Sequence, residues 1–265
     1  MLKKRILTAI VLLPIFILLV LTLSSHAFYF LTALIVLGGA WEWSFFMEIK
    51  RFSYRWVYLF LMGLALWIAY LFPLAPILYI TLVWWLIATY LVIRYPNNRA
   101  SSIVLRGCMG LFVLVPCWLA VNAIRNHPHG ISLLLFLFVL IWGADSGAYF
   151  AGRKWGKHKL MPRVSPGKTW EGLLGALLTT LVVALLALLL FKVPYISWPA
   201  VLLWSLLTVL FSIVGDLFES MMKRQVGLKD SGRLLPGHGG ILDRIDSLTA
   251  AAPIFALGFI ISHWI

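Results

Sequence analysis

The sequence predicts an all-α polytopic integral membrane protein of about nine transmembrane helices, with eight as the alternative count. Three observations carry this prediction. Hydrophobic residues fill 62% of the 265 positions, where a soluble domain holds about 45–50%. They fall in long runs, most of them close to the ~20 residues that a helix needs to cross a bilayer. Basic residues collect between alternate runs, which is the charge asymmetry of a multi-pass topology.

The segments are read in order. The first, about 6–23, follows Lys3, Lys4 and Arg5 and looks like a signal peptide. No small-residue cleavage site follows it, so it reads as a retained span. Only Ser24, Ser25 and His26 separate it from the second, about 27–46, which leaves the eight-span count open. The others lie near 57–72, 76–93, 103–124, 131–150, 172–191, 196–218 and 248–264. Helices are expected because a lone segment in lipid must satisfy its own backbone. Pro14, Pro116 and Pro253 lie inside spans and are candidate kinks.

With nine spans and a cytoplasmic N-terminus, 20 of the 22 Lys and Arg residues lie on the inner side, and only Arg125 and Lys192 lie outside. Removing an early span would strand Lys3, Lys4 and Arg5 outside. The net charge of +13 is thereby explained by topology and anionic headgroups, with no nucleic acid required. The two long loops, 151–171 and 219–247, both fall inside. The organisation is one membrane-embedded domain, 1–265, in which 1–130 supplies spans one to five and 131–265 forms the catalytic region. Cys108 and Cys117 have no metal-site spacing and read as packing residues.

The chemistry concentrates in one polar run, Gly215 to Asp246. It holds five of the nine acidic residues: Asp216, Glu219, Asp230, Asp243 and Asp246. Asp216 and Glu219 share a helical face at i, i+3, and Asp243 and Asp246 repeat the spacing. Two such pairs suit divalent cations that share phosphate oxygens; the alternative is interfacial charge paired with Lys223 or Arg244. Asp145 lies inside span six in "IWGADSGAYFAG", where a carboxylate costs about 2.5–3.5 kcal/mol to insert. Gly143, Gly147 and Ala151 recur beside it at a spacing that permits close helix packing. Glu42, between Trp41 and Trp43, reads as an interfacial residue.

The loop 151–171 ends in "PGKT", similar to the tail of a nucleotide-binding P-loop. It is not one, since the first glycine would have to stand at Pro162 and no strand is expected before it. Lys168 still suits a phosphate clamp, with Ser165 and Thr169 as hydroxyl donors at a helix start. In "LPGHGGILD", Gly239 and Gly240 let the backbone approach a phosphate, and His238 is a candidate donor. His127 and His129 are a weak metal pair. Ser146 and Ser220 lack a triad arrangement.

The 27 residues from Ser220 to Asp246 resemble the signature of phosphatidate cytidylyltransferases, the CDP-diacylglycerol synthases. Ser220, Lys223, Arg224, Lys229, Asp230, His238, Gly239, Gly240, Asp243, Arg244 and Asp246 all match it. "WGADSGAY", "SPGKTWEG" and "GDLFES" resemble further blocks of that family, and "AWEW" does so in the N-terminal half. The resemblance implies that CTP and phosphatidic acid give CDP-diacylglycerol and pyrophosphate, with Mg²⁺, one or two ions, as cofactor. By the same resemblance Asp216 and Asp243 are metal ligands, with Asp246 and Asp145 supporting. Lys168, Lys223, Arg224, Lys229, His238 and Arg244 would meet the substrates. The implied location is a bacterial inner membrane, with the site facing the cytoplasm and the acyl chains left in lipid; a homodimer stays open. The rival readings are a CTP-dependent polyprenol or phytol kinase, which would release CDP, and a transporter with Asp145 in its pathway.

Overall fold

The structure is a computed structural model that describes residues 14, 17–97, 100, 102–232 and 239–262. Among them, eight helices are long and apolar enough to cross a membrane. They are α1 (Ser25–Phe46), α2 (Phe52–Tyr70), α3 (Leu74–Arg94), α4 (Ile103–Asn126), α5 (Gly130–Trp155), α6 (Trp170–Leu190), α7 (Trp198–Gln225) and α8 (Leu242–Ser262). Residues 17–22 are also helical, ahead of a break at 23–24. Ser24 is extended there and its side chain accepts from the Ala27 amide, so α1 starts as a separate helix. Most of the first expected span lies outside the described residues, as do Lys3, Lys4 and Arg5.

Two boundaries differ from the apolar runs. α7 continues to Gln225, about two turns past the run that ends near 218, and α8 begins at Leu242 rather than 248. Hydropathy marks where lipid ends, whereas a helix continues through good formers such as Glu219, Lys223 and Arg224. The expected loop 219–247 therefore shrinks to 226–241, and all four paired carboxylates stand on helices.

The second difference is a hairpin in the loop 151–171, where no strand was expected. β1 (Lys159–Met161) pairs antiparallel with β2 (Ser165–Thr169), Lys159 opposite Thr169 and Met161 opposite Ser165. The Val164 amide donates to the Met161 carbonyl at 3.1 Å, closing a turn with Pro162 at its second position, where proline's fixed φ is favoured. Val164 is buried and anchors the turn. The "PGKT" residues are thus the strand β2 itself.

α8 is the central helix and packs against α1, α3, α4, α5 and α7. Its Ala250–Ala251–Ala252 stretch is fully buried, so neighbouring backbones come close. At Gly215 of α7 an added Cβ would lie 2.6 Å from the Asp246 carbonyl oxygen. The expected Gly143–Gly147–Ala151 stripe packs against α6: a Cβ on Gly147 would lie 2.7 Å from the Gly175 carbonyl oxygen. Cys117 is buried, Cys108 is exposed on α4, and both are free thiols.

Phe218 fixes the rotation of α7. Its fully buried ring lies 6.4, 5.7 and 6.0 Å from the rings of Trp43, Trp84 and Trp85. With that face locked, the opposite face carries Asp216, Glu219, Ser220 and Lys223. Phe218→Ala is expected to destabilise the protein by about 3–5 kcal/mol. The check is the thermal midpoint in detergent; an unchanged midpoint would show that the tryptophan cage does not hold α7.

Candidate active site

Asp216, Glu219, Ser220 and Lys223 recur at i, i+3, i+4 and i+7 and line one stripe of α7. Lys168 on β2 places its ammonium 2.7 Å from Asp216 Oδ2. The Ser220 hydroxyl donates to the other oxygen, Oδ1, at 3.2 Å. Arg224 Nε donates to the Val164 carbonyl at 3.4 Å, which ties the hairpin to α7 and helps keep Lys168 in place. The Thr169 side chain caps α6, accepting from the Gly172 amide at 3.1 Å, and Thr169 is buried. His158 Nδ1 lies 2.7 Å from Glu171 Oε1, which closes the other edge of the hairpin onto α6.

Asp145 on α5 interacts electrostatically with Lys168 and Asp216. All three therefore belong to one site assembled from α5, β2 and α7. Asp145, Tyr149, Lys168, Thr169, Leu173 and Ile213 are among the residues that line a cavity of about 200 Å³. Its lining combines the charged Asp145 and Lys168 with apolar side chains such as Leu160, Leu173 and Ile213.

The second half of the site hangs on Lys223. Its ammonium donates to Asp243 Oδ1 at 2.7 Å and to Glu219 Oε2 at 3.3 Å, so it bridges α7 and α8. Asp243 is further held by backbone donors: the Ser231 amide at 3.0 and 3.2 Å and the Gly240 amide at 2.8 Å. Gly239 has φ 79, which glycine adopts without steric cost. Asp243 thereby brings Ser231 and Gly240 together.

Asp246 accepts from the Ser247 amide at 2.7 Å and interacts with Asp216 and Glu219. Glu219 is buried, and among the described residues its Oε1 has no hydrogen-bond donor. Among the described residues, no three His, Cys, Asp or Glu side chains form a cage for an ion on their own. Mg²⁺ does not ask for one: it takes one or two carboxylates and completes its shell with water and substrate phosphates. Adjacent carboxylates with one orphaned oxygen fit that mode of binding.

The other expected residues are placed as follows. Ser165 sits on β2, half-buried, and Arg224 is exposed at the end of α7. Lys229 is exposed in the 226–241 connection, and Arg244 is on the first turn of α8. His238 lies outside the described residues.

Glu42 is the residue that sequence reasoning placed wrongly. It is fully buried rather than interfacial. Its Oε2 accepts from the Leu242 amide at 2.8 Å and from the Ser231 hydroxyl at 3.1 Å. Gly232 and Gly240 pack directly on its carboxylate, where any Cβ would collide. An acidic residue inside the apolar "AWEW" segment was the available signal. Its partners, 189 and 200 positions away, were not visible.

A family model described as the cytidylyltransferase family matches residues 3–261. A phosphatidate cytidylyltransferase of Pseudomonas aeruginosa is 43% identical over 260 residues, covering 97% of this chain and 96% of its own length. One of Haemophilus influenzae is 40% identical over 283 residues, covering 97% and 98%. One of Brucella suis is 46% identical over 149 residues, covering 56% and 54%.

Glu42→Ala would leave the buried Leu242 amide without its acceptor, a loss of about 1–3 kcal/mol. Proteolysis of the 226–241 connection is expected to accelerate in Glu42→Ala and much less in Glu42→Gln, which keeps an acceptor oxygen. Equal cleavage of wild type and Glu42→Ala would remove Glu42 as the anchor of the loop.

Proposed function

The chain belongs to the cytidylyltransferase family, and we propose that its two lysine–carboxylate pairs, Lys168–Asp216 and Lys223–Asp243, bring two anionic substrates together. It is a multi-pass membrane enzyme whose reaction joins CTP to phosphatidic acid, giving CDP-diacylglycerol and pyrophosphate. The observation that carries the mechanism is the ammonium of Lys168, 2.7 Å from Asp216 and beside Asp145, in a cavity lined by both charged and apolar side chains.

The lipid phosphate is mostly ionised at neutral pH, taking the second pKa of about 6 of a phosphomonoester as guide. It needs no general base. Its oxygen forms the new bond to the α-phosphorus of CTP, and the bond from that phosphorus to the pyrophosphate oxygen breaks. The barrier is the approach of one anion to another, so positioning and positive charge do most of the catalysis. Lys168 meets the lipid phosphate at the mouth of the cavity, while the acyl chains remain among apolar side chains. Lys223, Arg224 and Arg244 hold the nucleotide phosphates. Gly239 and Gly240 let the backbone approach, and Ser165, Thr169, Lys229 and His238 border the same region.

Asp216 and Asp246 are the residues that would hold Mg²⁺; Asp243 would join them by giving up Lys223 or one loop amide, and a second ion would draw on the same set. Bound there, Mg²⁺ supplies charge neutralisation on phosphate oxygens and on departing pyrophosphate. We place the site at the cytoplasmic face of a bacterial inner membrane. The support is the sequence itself: 20 of its 22 basic residues belong to that side in the nine-span arrangement.

Lys168→Ala is expected to lower kcat by roughly 10²–10³-fold, the usual loss when one donor to developing charge is removed. Lys168→Arg should recover part of it. The assay follows transfer of labelled cytidine to phosphatidate; an alanine variant with wild-type turnover would exclude the clamp. Removal of divalent cations with EDTA should abolish turnover, and added Mg²⁺ should restore it. Persistent turnover in EDTA would show that the carboxylates serve another purpose.

A further inference from the structure

A second cavity, of about 380 Å³, lies at the opposite end of the helices from the candidate active site. It is formed by the start of α5, the end of α6 and the start of α7. Its walls include Leu133, Phe136, Leu188 and Val201, and its polar groups are His129, Ser132 and Lys192. Asp145, on the same helix as Ser132, is 13 residues further along, or roughly 20 Å at 1.5 Å per residue. The two cavities are therefore separate.

The backbone at Lys192 is the first clue. The Lys192 amide donates to the Leu189 carbonyl at 3.3 Å and the Val193 amide to the Leu188 carbonyl at 3.0 Å. This is the Schellman ending of a helix, whose left-handed position is usually glycine. Here that position holds a lysine, with φ 51. A side chain at such an angle is a cost that structures retain chiefly where the residue has a task.

Charge is the second clue. Each of the nine acidic residues is at the active-site end or on the segments leading to it, and none borders this cavity. Lys192 and Ser132 make no side-chain hydrogen bond or ion pair among the described residues. α5 begins at His129 with no side-chain cap, so its first-turn amides add positive potential. Among the described residues, no acidic side chain borders this group of donors.

Depth is the third clue. Leu190, Phe191, Tyr195 and Ile196 are 78, 58, 78 and 91% exposed around the same turn. Exposed aromatic and aliphatic side chains at the end of a span mark the headgroup level. A cationic rim at that depth, above an apolar cleft, is complementary to an amphiphile with a phosphate.

We infer that this cavity binds a net-anionic glycerophospholipid of the leaflet opposite the active site, its phosphate at Lys192, His129 and Ser132 and an acyl chain against Leu133, Phe136 and Val201. The site is distinct from the one where phosphatidate reacts.

The test is photo-crosslinking in lipid nanodiscs, with diazirine analogues of phosphatidylglycerol and phosphatidylcholine and peptide mapping. The phosphatidylglycerol probe should label 129–136 and 187–201 more strongly than the phosphatidylcholine probe. Lys192→Gly should cut that labelling about fivefold, the effect of one interfacial charge, while Lys192→Arg keeps it. Cytidylyl transfer should be unchanged in both variants. Glycine also suits the left-handed backbone, so Lys192→Gly is expected to fold at least as well as wild type. Equal labelling by both probes, labelling spread evenly over the lipid-facing helices, or Lys192→Gly labelling like wild type would each overturn the proposal. Displacement of the probe by inorganic phosphate would also overturn it, by showing that a soluble anion suffices.

Discussion

The Lys223 ammonium is the interaction on which the site depends. It joins Glu219 of its own helix to Asp243 at the start of the next. Removing one partner from a buried pair is far more damaging than the pair is stabilising, because it leaves an uncompensated charge. Around it, α7 and α8 are set in register by Gly215, where no side chain intervenes, and by the central position of α8. Lys223 thus relates the carboxylates of two helices. The same contact fixes Asp243, which in turn gathers the amides of Ser231 and Gly240.

The site divides its labour between helices and loops in an intelligible way. Helices carry the carboxylates, whose mutual repulsion demands rigid support. The same helices carry Lys223, Arg224 and Arg244, while the hairpin adds Lys168 and the connection adds Lys229, Gly239 and Gly240. Hydrogen bonds attach both elements to helix side chains: Arg224 holds the hairpin at Val164, and Glu42 and Asp243 hold Leu242 and Gly240. Positioning of this kind supplies much of the rate in phosphoryl and nucleotidyl transfer.

Lipid made much of this legible from sequence. A bilayer imposes span length and hydropathy, so eight of the nine expected spans appear as helices where the apolar runs placed them, most of the first lying outside the described residues. The i, i+3 spacing of Asp216 with Glu219 and of Asp243 with Asp246 was readable because both pairs are local. Helix ends were not readable, since α7 continues beyond the lipid on good helix formers. The hairpin was hidden because three- and five-residue strands in a basic loop show no alternation. Glu42 was misread for a third reason: its meaning lies wholly in partners from the far end of the chain. The loop-fixing role of Asp243 was equally hidden, since backbone amides leave no trace in a sequence.

Glu42 also imposes an order on assembly. Ribosomes make α1 long before Ser231 and Leu242, which lie 189 and 200 residues downstream. The carboxylate therefore enters the membrane with its hydrogen-bond partners still unmade, at the cost that a lone acidic group incurs there. That cost is relieved only when α8 arrives and the glycines close over the carboxylate. Completion of the reaction centre is for this reason a late event in biogenesis. A chain halted before its last helix already has the 226–241 segment, but it lacks the Leu242 amide that meets Glu42 and the site residues Asp243, Arg244 and Asp246.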